Sequence, residues 1–261
     1  MRLIGIAVVL AIGLFIAPHS GTAQPAEKIV RIALLRSEKR PLDDRLRQNF
    51  AAHDYETDPI AAGFVATLAK PGKNITGMFL DIPEIVGKLL ELIKTTQPEL
   101  RSITVLWDPL TGKSQVSTAE QAARTLGINV QVREARAGSL EQTVKSVGSS
   151  KGRALVLLGS PVITAGFPKI ADTAAAARLP SIALFPQFAR AGGLMAYGPE
   201  AAEQYRQEGR MIGKILKGAK PGDLLVERPT KFYLLINLKT AKALGLTIPP
   251  SVLGRADQII E

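Results

Sequence analysis

The residues of this 261-residue chain that could do chemistry stand at the ends of apolar runs, not in a catalytic motif. Asp108-Pro109 follows the run 102–107, Gly159-Ser160-Pro161 follows 153–158, Phe185 closes 181–185, and Tyr197-Gly198-Pro199 ends a short segment starting at Gly192. A further unit, residues 53–77, carries Asp58-Pro59 at one end and Asn74-Ile75-Thr76-Gly77 at the other. Each pair is equally well explained as turn chemistry, since Asp, Gly, Ser and Pro are the residues that turns demand. Four such ends in one chain nevertheless point to a pocket. In an open α/β sheet, ligands meet the carboxyl ends of strands, where loops and helix N-termini present unpaired N–H groups.

Catalysis fits the composition poorly. There are two histidines, and His19 lies in an N-terminal segment predicted to be removed, so a histidine relay or metal site would have to be built around His53 alone. The glycines punctuate helices and form neither a G-x-G-x-x-G fingerprint nor a phosphate-cradling loop. No cofactor and no metal are expected. With no cysteine anywhere, neither a disulfide framework nor a lipid-modified cysteine is available. The formal charge of +10 raises the question of nucleic acid, but cations alternate with Asp and Glu, and aromatic residues make up only 5%. A basic exported surface accounts for this without a nucleic-acid partner.

The elements that must position the strand ends read as alternating strand and helix. "KIVRIALL" (28–35), "SITVLWD" (102–108), "INVQVREA" (128–135), "RALVLLGS" (153–160) and "SIALF" (181–185) are apolar on both faces, as buried parallel strands are. Helical patterns lie between them at 117–127, 139–152 and 163–180, with Ser139 as one N-cap and Ser117 with Glu120 as a capping box. Gly127 and Pro180 are the expected terminators. The unit 53–77 reads as one amphipathic helix stopping on Pro-Gly before a short β segment. A short strand at "GGLMAYGP", a helix over 200–218, a long strand "KFYLLINL" (231–238) and a helix–turn–helix end complete the chain. Strict alternation predicts right-handed crossovers and a doubly wound parallel sheet.

At the N-terminus, Arg2, the apolar run 3–17 and the small-residue exit "PHSGTAQPA" read as a cleavable secretory signal, with cleavage after Ala23. The apolar run would span roughly 22 Å as a helix, short of a hydrocarbon core of about 30 Å. The sequence therefore predicts a free periplasmic protein and not a lipoprotein.

From Thr57 onward the chain resembles the substrate-binding proteins of ABC transporters, of the type that binds tryptophan or related aromatic amino acids. The likeness rests on "DPIAAGFVATLAKPGKNITGMFLDIPEIVGKLLELIKTTQPELRSITVLWDP", on "GGLMAYGP", and on the long motif "INLKTAKALGLTIPPSVLGRAD" near the C-terminus. It implies a two-lobed type I periplasmic-binding-protein fold that closes on a small solute, with an ABC permease as partner. Mapped here, the first lobe is 27–79 plus 199–222 and the second 80–198 plus 223–261, with crossings near Gly77, Tyr197 and Val226. One departure stands out. Where the family carries several helices and strands between the first strand and the Asp-Pro loop, this chain has "RSEKRPLDDRLRQNFAAHDYE" (36–56), which offers one helical pattern at most and no second strand. The first lobe is thus expected to be incomplete, with an exposed sheet edge.

An amino acid in the cleft needs donors for its carboxylate, an acceptor for its ammonium and an apolar wall. The strand-end residues can supply these: Thr76 and Ser160 offer hydroxyls beside backbone N–H groups, Asp58 or Asp108 a carboxylate, and Phe79, Phe185 and Tyr197 a wall. Both aspartates precede Pro, so turn-starting roles remain equally open. The receptor is expected to be a monomer. The alternative is a binding-impaired, truncated paralogue that dimerises through its exposed sheet edge.

Overall fold

A computed structural model describes residues 33–36, 50–53, 59–61, 63–111, 113–148 and 153–261, the first two stretches as backbone only. The predicted signal segment, its cleavage point and Asp58 lie outside the described residues. In chain order the elements are β1 (Ala33–Arg36), β2 (Phe50–His53), α1 (Ile82–Thr96), β3 (Ser102–Trp107), α2 (Ser114–Thr125), β4 (Asn129–Glu134), α3 (Leu140–Val147) and β5 (Arg153–Leu157). These are followed by α4 (Pro161–Ala165), α5 (Phe167–Ala176), β6 (Ser181–Ala183), α6 (Gln187–Arg190), β7 (Met195–Gly198), α7 (Ala201–Leu216) and a 3-10 turn (Pro221–Asp223). The chain closes with β8 (Tyr233–Asn237), α8 (Leu238–Leu244), α9 (Pro250–Leu253) and β9 (Gln258–Ile260).

Seven strands form one sheet in the order β4-β3-β5-β6-β7-β8-β9. The first five of that order pair in parallel, β8 joins β7 antiparallel, and β9 lies parallel to β8. The sequence carries its own instructions for this sheet. Ile103, Val105 and Leu106 on the inner strand β3 are at most 1% exposed, because neighbours and helices cover them on all sides. In α1 the apolar residues Ile82, Ile85, Val86, Leu89, Leu90 and Ile93 recur at helical spacing and are all buried, while Glu84 and Glu91 face out. Helix α1 packs on α2 and α9, and α5 on α3, α6 and α8, so helices cover both faces as the alternation predicts. Between α3 and α5, Glu141 accepts ion pairs from Lys145 and Lys169, which hold its carboxyl at about 2, well below the usual 4.5.

Several expectations are corrected. The 36–56 segment does contain a second strand: β2 pairs in parallel with β1, from Ala33 opposite Phe50 to Arg36 opposite His53. The segment β4 is not buried on both faces. It has one neighbour, and Asn129, Gln131, Arg133 and Glu134 are exposed. The predicted helix over 163–180 is two helices split at Gly166, since Pro168 has no N–H with which to continue the first. The second ends at Ala176, ahead of Pro180, on Arg178 at φ +50°, with Leu179 N–H returning to the Ala174 carbonyl. Ser117 is not an N-cap: α2 starts at Ser114, and Ser117 N–H already bonds to the Lys113 carbonyl. Ser139 occupies the N-cap position of α3, but its hydroxyl reaches back to the Arg136 carbonyl and makes no cap bond. Gly127 closes α2 as expected, at φ +65°. The C-terminal strand β9 was not expected. It gains its partner from β8, where Asp257 Oδ2 accepts from Leu234 N–H at 2.8 Å.

The unit 59–77 is built of turns, with no helix among its described residues. Gly63 takes φ +71°, Phe64 and Val65 N–H groups both bond to the Pro59 carbonyl, and Thr67 Oγ1 accepts from Lys70 N–H at 2.9 Å. Its apolar residues face a small second core instead of the large sheet: Val65, Phe79 and Val226, with Phe64, Leu68 and Ile75 packed around them. Three ties hold this assembly together. Gly72 N–H bonds to the Gly222 carbonyl at 3.0 Å, Val226 N–H to Leu68 at 2.7 Å, and Met78 pairs with Glu227 in a parallel bridge. Gly222 is required at that contact, because a Cβ there would come within 2.2 Å of the Lys73 carbonyl oxygen.

Candidate functional site

The carboxyl ends of β3, β5, β6 and β7 lie side by side along one edge of the large sheet, and the predicted residues 108, 160, 185 and 197 fall there. Asp108 is 3% exposed; its Oδ1 accepts from Leu110 N–H at 2.9 Å and its Oδ2 from the Ser160 hydroxyl at 2.6 Å. The same hydroxyl accepts from Val162 and Ile163 N–H groups, capping α4. Ser160 is therefore saturated, donating once and accepting twice, and its role is to fix Asp108 and the loop after β5. Turn chemistry and site chemistry coincide at Asp108, whose backbone carbonyl also starts the turn to Thr111.

Gln115 anchors the same edge and sequence reasoning missed it. Fully buried on α2, it exchanges two hydrogen bonds with Gly159: Nε2 donates to the Gly159 carbonyl at 3.0 Å, and Oε1 accepts from Gly159 N–H at 2.8 Å. This pairing explains why α2 begins before Ser117. Burying the amide of Gln115 is tolerable only with both ends bonded, so the helix start follows that contact and not the local capping pattern.

Phe185 sits at the end of β6, 6% exposed within the main core, and its carbonyl accepts from Phe188 N–H. Tyr197 is half-buried near the end of β7 and stacks on Phe232, with ring centroids 5.9 Å apart and planes at 24°. Because β8 runs antiparallel to β7, Phe232 reaches the same edge from the other direction. In the sequence Phe232 is the first aromatic of "KFYLLINL", where the strand pattern masks it as a site residue. Gln187, the first residue of α6 and two residues after Phe185, has a side-chain oxygen that is buried without a hydrogen-bond partner. A buried orphan acceptor is rare enough in proteins to demand an explanation.

Thr76 and Phe79 belong to the other assembly. Thr76 is 2% exposed, and its hydroxyl lies 2.8 Å from the Leu224 carbonyl, 3.2 Å from that of Leu225 and 3.6 Å from Met211 Sδ. Its hydroxyl holds two chain segments together in this conformation. Phe79 packs on Val65 and Val226 under the Arg228 guanidinium, 5.2 Å above its ring, and Arg228 also faces Asp81 at 3.8 Å. The structure thus joins Asp108 to Ser160, places Phe185 just after β6 and Tyr197 in the neighbouring β7 on the same edge, and sets Thr76 and Phe79 on or next to the segment that pairs with Glu227. Past β7, the chain is clamped to the large sheet: Arg190 of α6 pairs with Glu200, which raises the guanidinium pKa, and donates to Gln258 Oε1 at 3.0 Å.

A mostly parallel sheet covered by helices on both faces, with its loop-bearing strand ends aligned on one edge, is the architecture of type I periplasmic binding proteins. The family model described as ABC transporter substrate binding protein matches residues 53–260, and the chain belongs to that family. It is 28% identical over 196 residues to a tyrosine-binding protein of Clostridioides difficile (strain R20291). That alignment takes in 73% of this chain but only 55% of the relative, so the chain spans about half the length of that protein. Among solved structures it is similar to an ABC domain of Streptococcus pneumoniae in complex with L-Trp, with a TM-score of 0.71 and 31% identity. The match covers 81% of this chain and 72% of that one. A conserved domain protein of Vibrio cholerae superposes equally well, with a TM-score of 0.72 and 26% identity over the same shares of the two chains.

Proposed function

We propose that this protein is an exported solute receptor of an ABC importer, and that it binds an aromatic amino acid at the strand-end edge of its large sheet and delivers it to a membrane permease. The observation that carries this reading is the buried, unpartnered Gln187 oxygen at the start of α6, which follows β6 on the same strand-end edge as the Tyr197–Phe232 stack and the Asp108, Ser160 and Gln115 hydrogen bonds. An ammonium group supplies the hydrogen that a buried amide oxygen lacks, and a flat stack suits an aromatic side chain. Asp108 adds negative charge on the same edge of the sheet. Membership of the substrate-binding family and the likeness to a tryptophan-bound domain support the same solute class.

The chain is read as two lobes, 27–79 with 199–222 and 80–198 with 223–261, closing by hinge motion at the crossings near Gly77, Tyr197 and Val226. The parallel bridge between Met78 and Glu227 supports this division, since it lays two crossings side by side. Thr76 and Phe79, next to that bridge, would meet the ligand from the opposite side on closure. Periplasmic placement follows from the predicted signal segment and the family.

Thermal unfolding with L-Trp or L-Tyr tests the proposal. At a hundredfold excess over Kd a ligand that binds only the folded state adds about 2.7 kcal/mol, and the transition should rise by several degrees. Glucose and Glu should leave it unmoved. A transition indifferent to every aromatic amino acid would favour the alternative of a binding-impaired dimer.

A further inference from the structure

The exposed face of α7 and the turns beside it gather cations that the sequence alone disperses. Between 203 and 225, Arg206, Arg210, Lys214, Lys217 and Lys220 are all exposed, with two exposed acids, Glu203 and Asp223, and a half-buried one, Glu208. At 100° per residue, Arg206, Lys217, Arg210 and Lys214 fall within about 80° of arc, which makes a stripe along the helix. Arg206 is paired with Glu203, whereas Arg210, Lys214, Lys217 and Lys220 make no ion pair among the described residues. The bond from Gly72 N–H to the Gly222 carbonyl brings the exposed Lys70 and Lys73 alongside the 3-10 turn that follows Lys220. Two large apolar side chains are exposed on the flanking positions: Leu216 at the end of α7, about 80° round the helix from Arg206 and away from Lys214, 58% exposed, and Leu225 after the turn, 52% exposed.

We propose that this basic, leucine-bearing pole docks on a bilayer surface rich in anionic phospholipid. Charge complementarity carries the choice of partner. Most of these cations are lysines, compact point charges without the fork that reads a fixed carboxylate, and they are spread over a convex helix and two turns, not gathered in a groove. Such an array suits a diffuse sheet of headgroup charge, where each Lys or Arg near the surface adds independently. Leu216, on the Arg206 flank of the stripe, and Leu225 can enter the headgroup boundary. No helix among the described residues is long and apolar enough to cross a membrane, so the contact is peripheral. The lysines at the end of α7 lie about 24 Å along the helix, at 1.5 Å per residue, from the crossing at Tyr197–Pro199, whereas Leu225 adjoins the crossing near Val226.

Vesicle flotation of the full chain tests this, reading the ratio of partitioning onto phosphatidylcholine vesicles with phosphatidylglycerol to partitioning onto phosphatidylcholine alone. That ratio cancels any anchoring by the apolar N-terminal segment. The wild type should favour the anionic vesicles strongly at low salt and lose the preference at high salt. The variant Lys214→Gln/Lys217→Gln/Lys220→Gln should lower the ratio on the order of a hundredfold while unfolding at the wild-type temperature. An equal loss of charge elsewhere, Lys239→Gln/Lys242→Gln/Arg255→Gln, should leave most of the preference intact. A ratio near one for the wild type, or equal losses in the two triple variants, would overturn the proposal. So would retention by immobilised polyglutamate with no vesicle preference, which would mark the pole as a contact for an acidic protein.

Discussion

Replacing Gly198 by Ala should destabilise the protein by about 3 kcal/mol, the upper end of what forced overpacking costs. Gly198 ends β7 just where the chain leaves the large sheet, and a Cβ built on it would lie 1.7 Å from the Leu184 carbonyl oxygen and 2.9 Å from its carbon. These are backbone atoms at the end of β6, so no rotamer change relieves the overlap. Either β7 separates from β6, breaking a ladder in the middle of the sheet, or the loop carrying Phe185 moves. Both options disturb the strand-end edge. Gly209 on α7 supplies the control, since nothing lies within 4 Å of the position a Cβ would take there. Its replacement by Ala should stabilise by about 0.5–1 kcal/mol through helix propensity. Denaturant unfolding of both variants measures the contrast, and a Gly198→Ala protein within about 0.5 kcal/mol of wild type would show that the edge is far more pliant than its geometry implies.

Asp108→Ala should cost a similar amount, about 3 kcal/mol, by a different route. It strands the Ser160 hydroxyl, a buried donor worth about 1–3 kcal/mol when left unmade, and takes the acceptor from Leu110 N–H in a part-buried turn. The Ser160 hydroxyl cannot simply turn elsewhere, because its lone pairs already hold the first turn of α4. Asp108→Asn should be milder, about 1–2 kcal/mol: one oxygen still accepts from Leu110, but its amide nitrogen faces a hydroxyl that already accepts twice. A cycle with Ser160→Ala separates the direct term, and the two losses should fall short of additive by at least 0.5 kcal/mol, a coupling expected of direct neighbours. Strict additivity would mean that the carboxylate and hydroxyl act independently.

Much of the large sheet was legible because its signals are local. Apolar runs without alternation marked β3, β5 and β6, and Gly127 marked the end of α2. The meeting of Asp108 with Ser160 was legible from topology, since both follow strands that the alternation makes parallel. What escaped were features decided by distant partners. Ser117 carries a good capping pattern, yet the two-way bond between Gln115 and Gly159 moves the start of α2 to Ser114. The β9 strand has only three residues and exists because β8 offers a free edge. The unit 59–77 has an amphipathic helical pattern, but its apolar residues answer to Phe79 and Val226, which lie on other segments. The site followed the same rule. Thr76 has the right residue type, and only the structure reveals that its hydroxyl holds the 224–225 backbone; Gln187 carries no sequence signal, because an orphaned oxygen is a property of packing.

Calorimetric titration of L-Trp into the wild type and into Gln187→Leu tests the central claim most directly. Saturable binding with one site per chain is expected for the wild type, with L-Tyr competing. In Gln187→Leu the affinity should fall about tenfold or more, as for loss of a hydrogen bond to a charged group, while stability holds or rises because a buried unpaired oxygen has been removed. The absence of binding to the wild type, or an affinity unchanged in Gln187→Leu, would contradict the account.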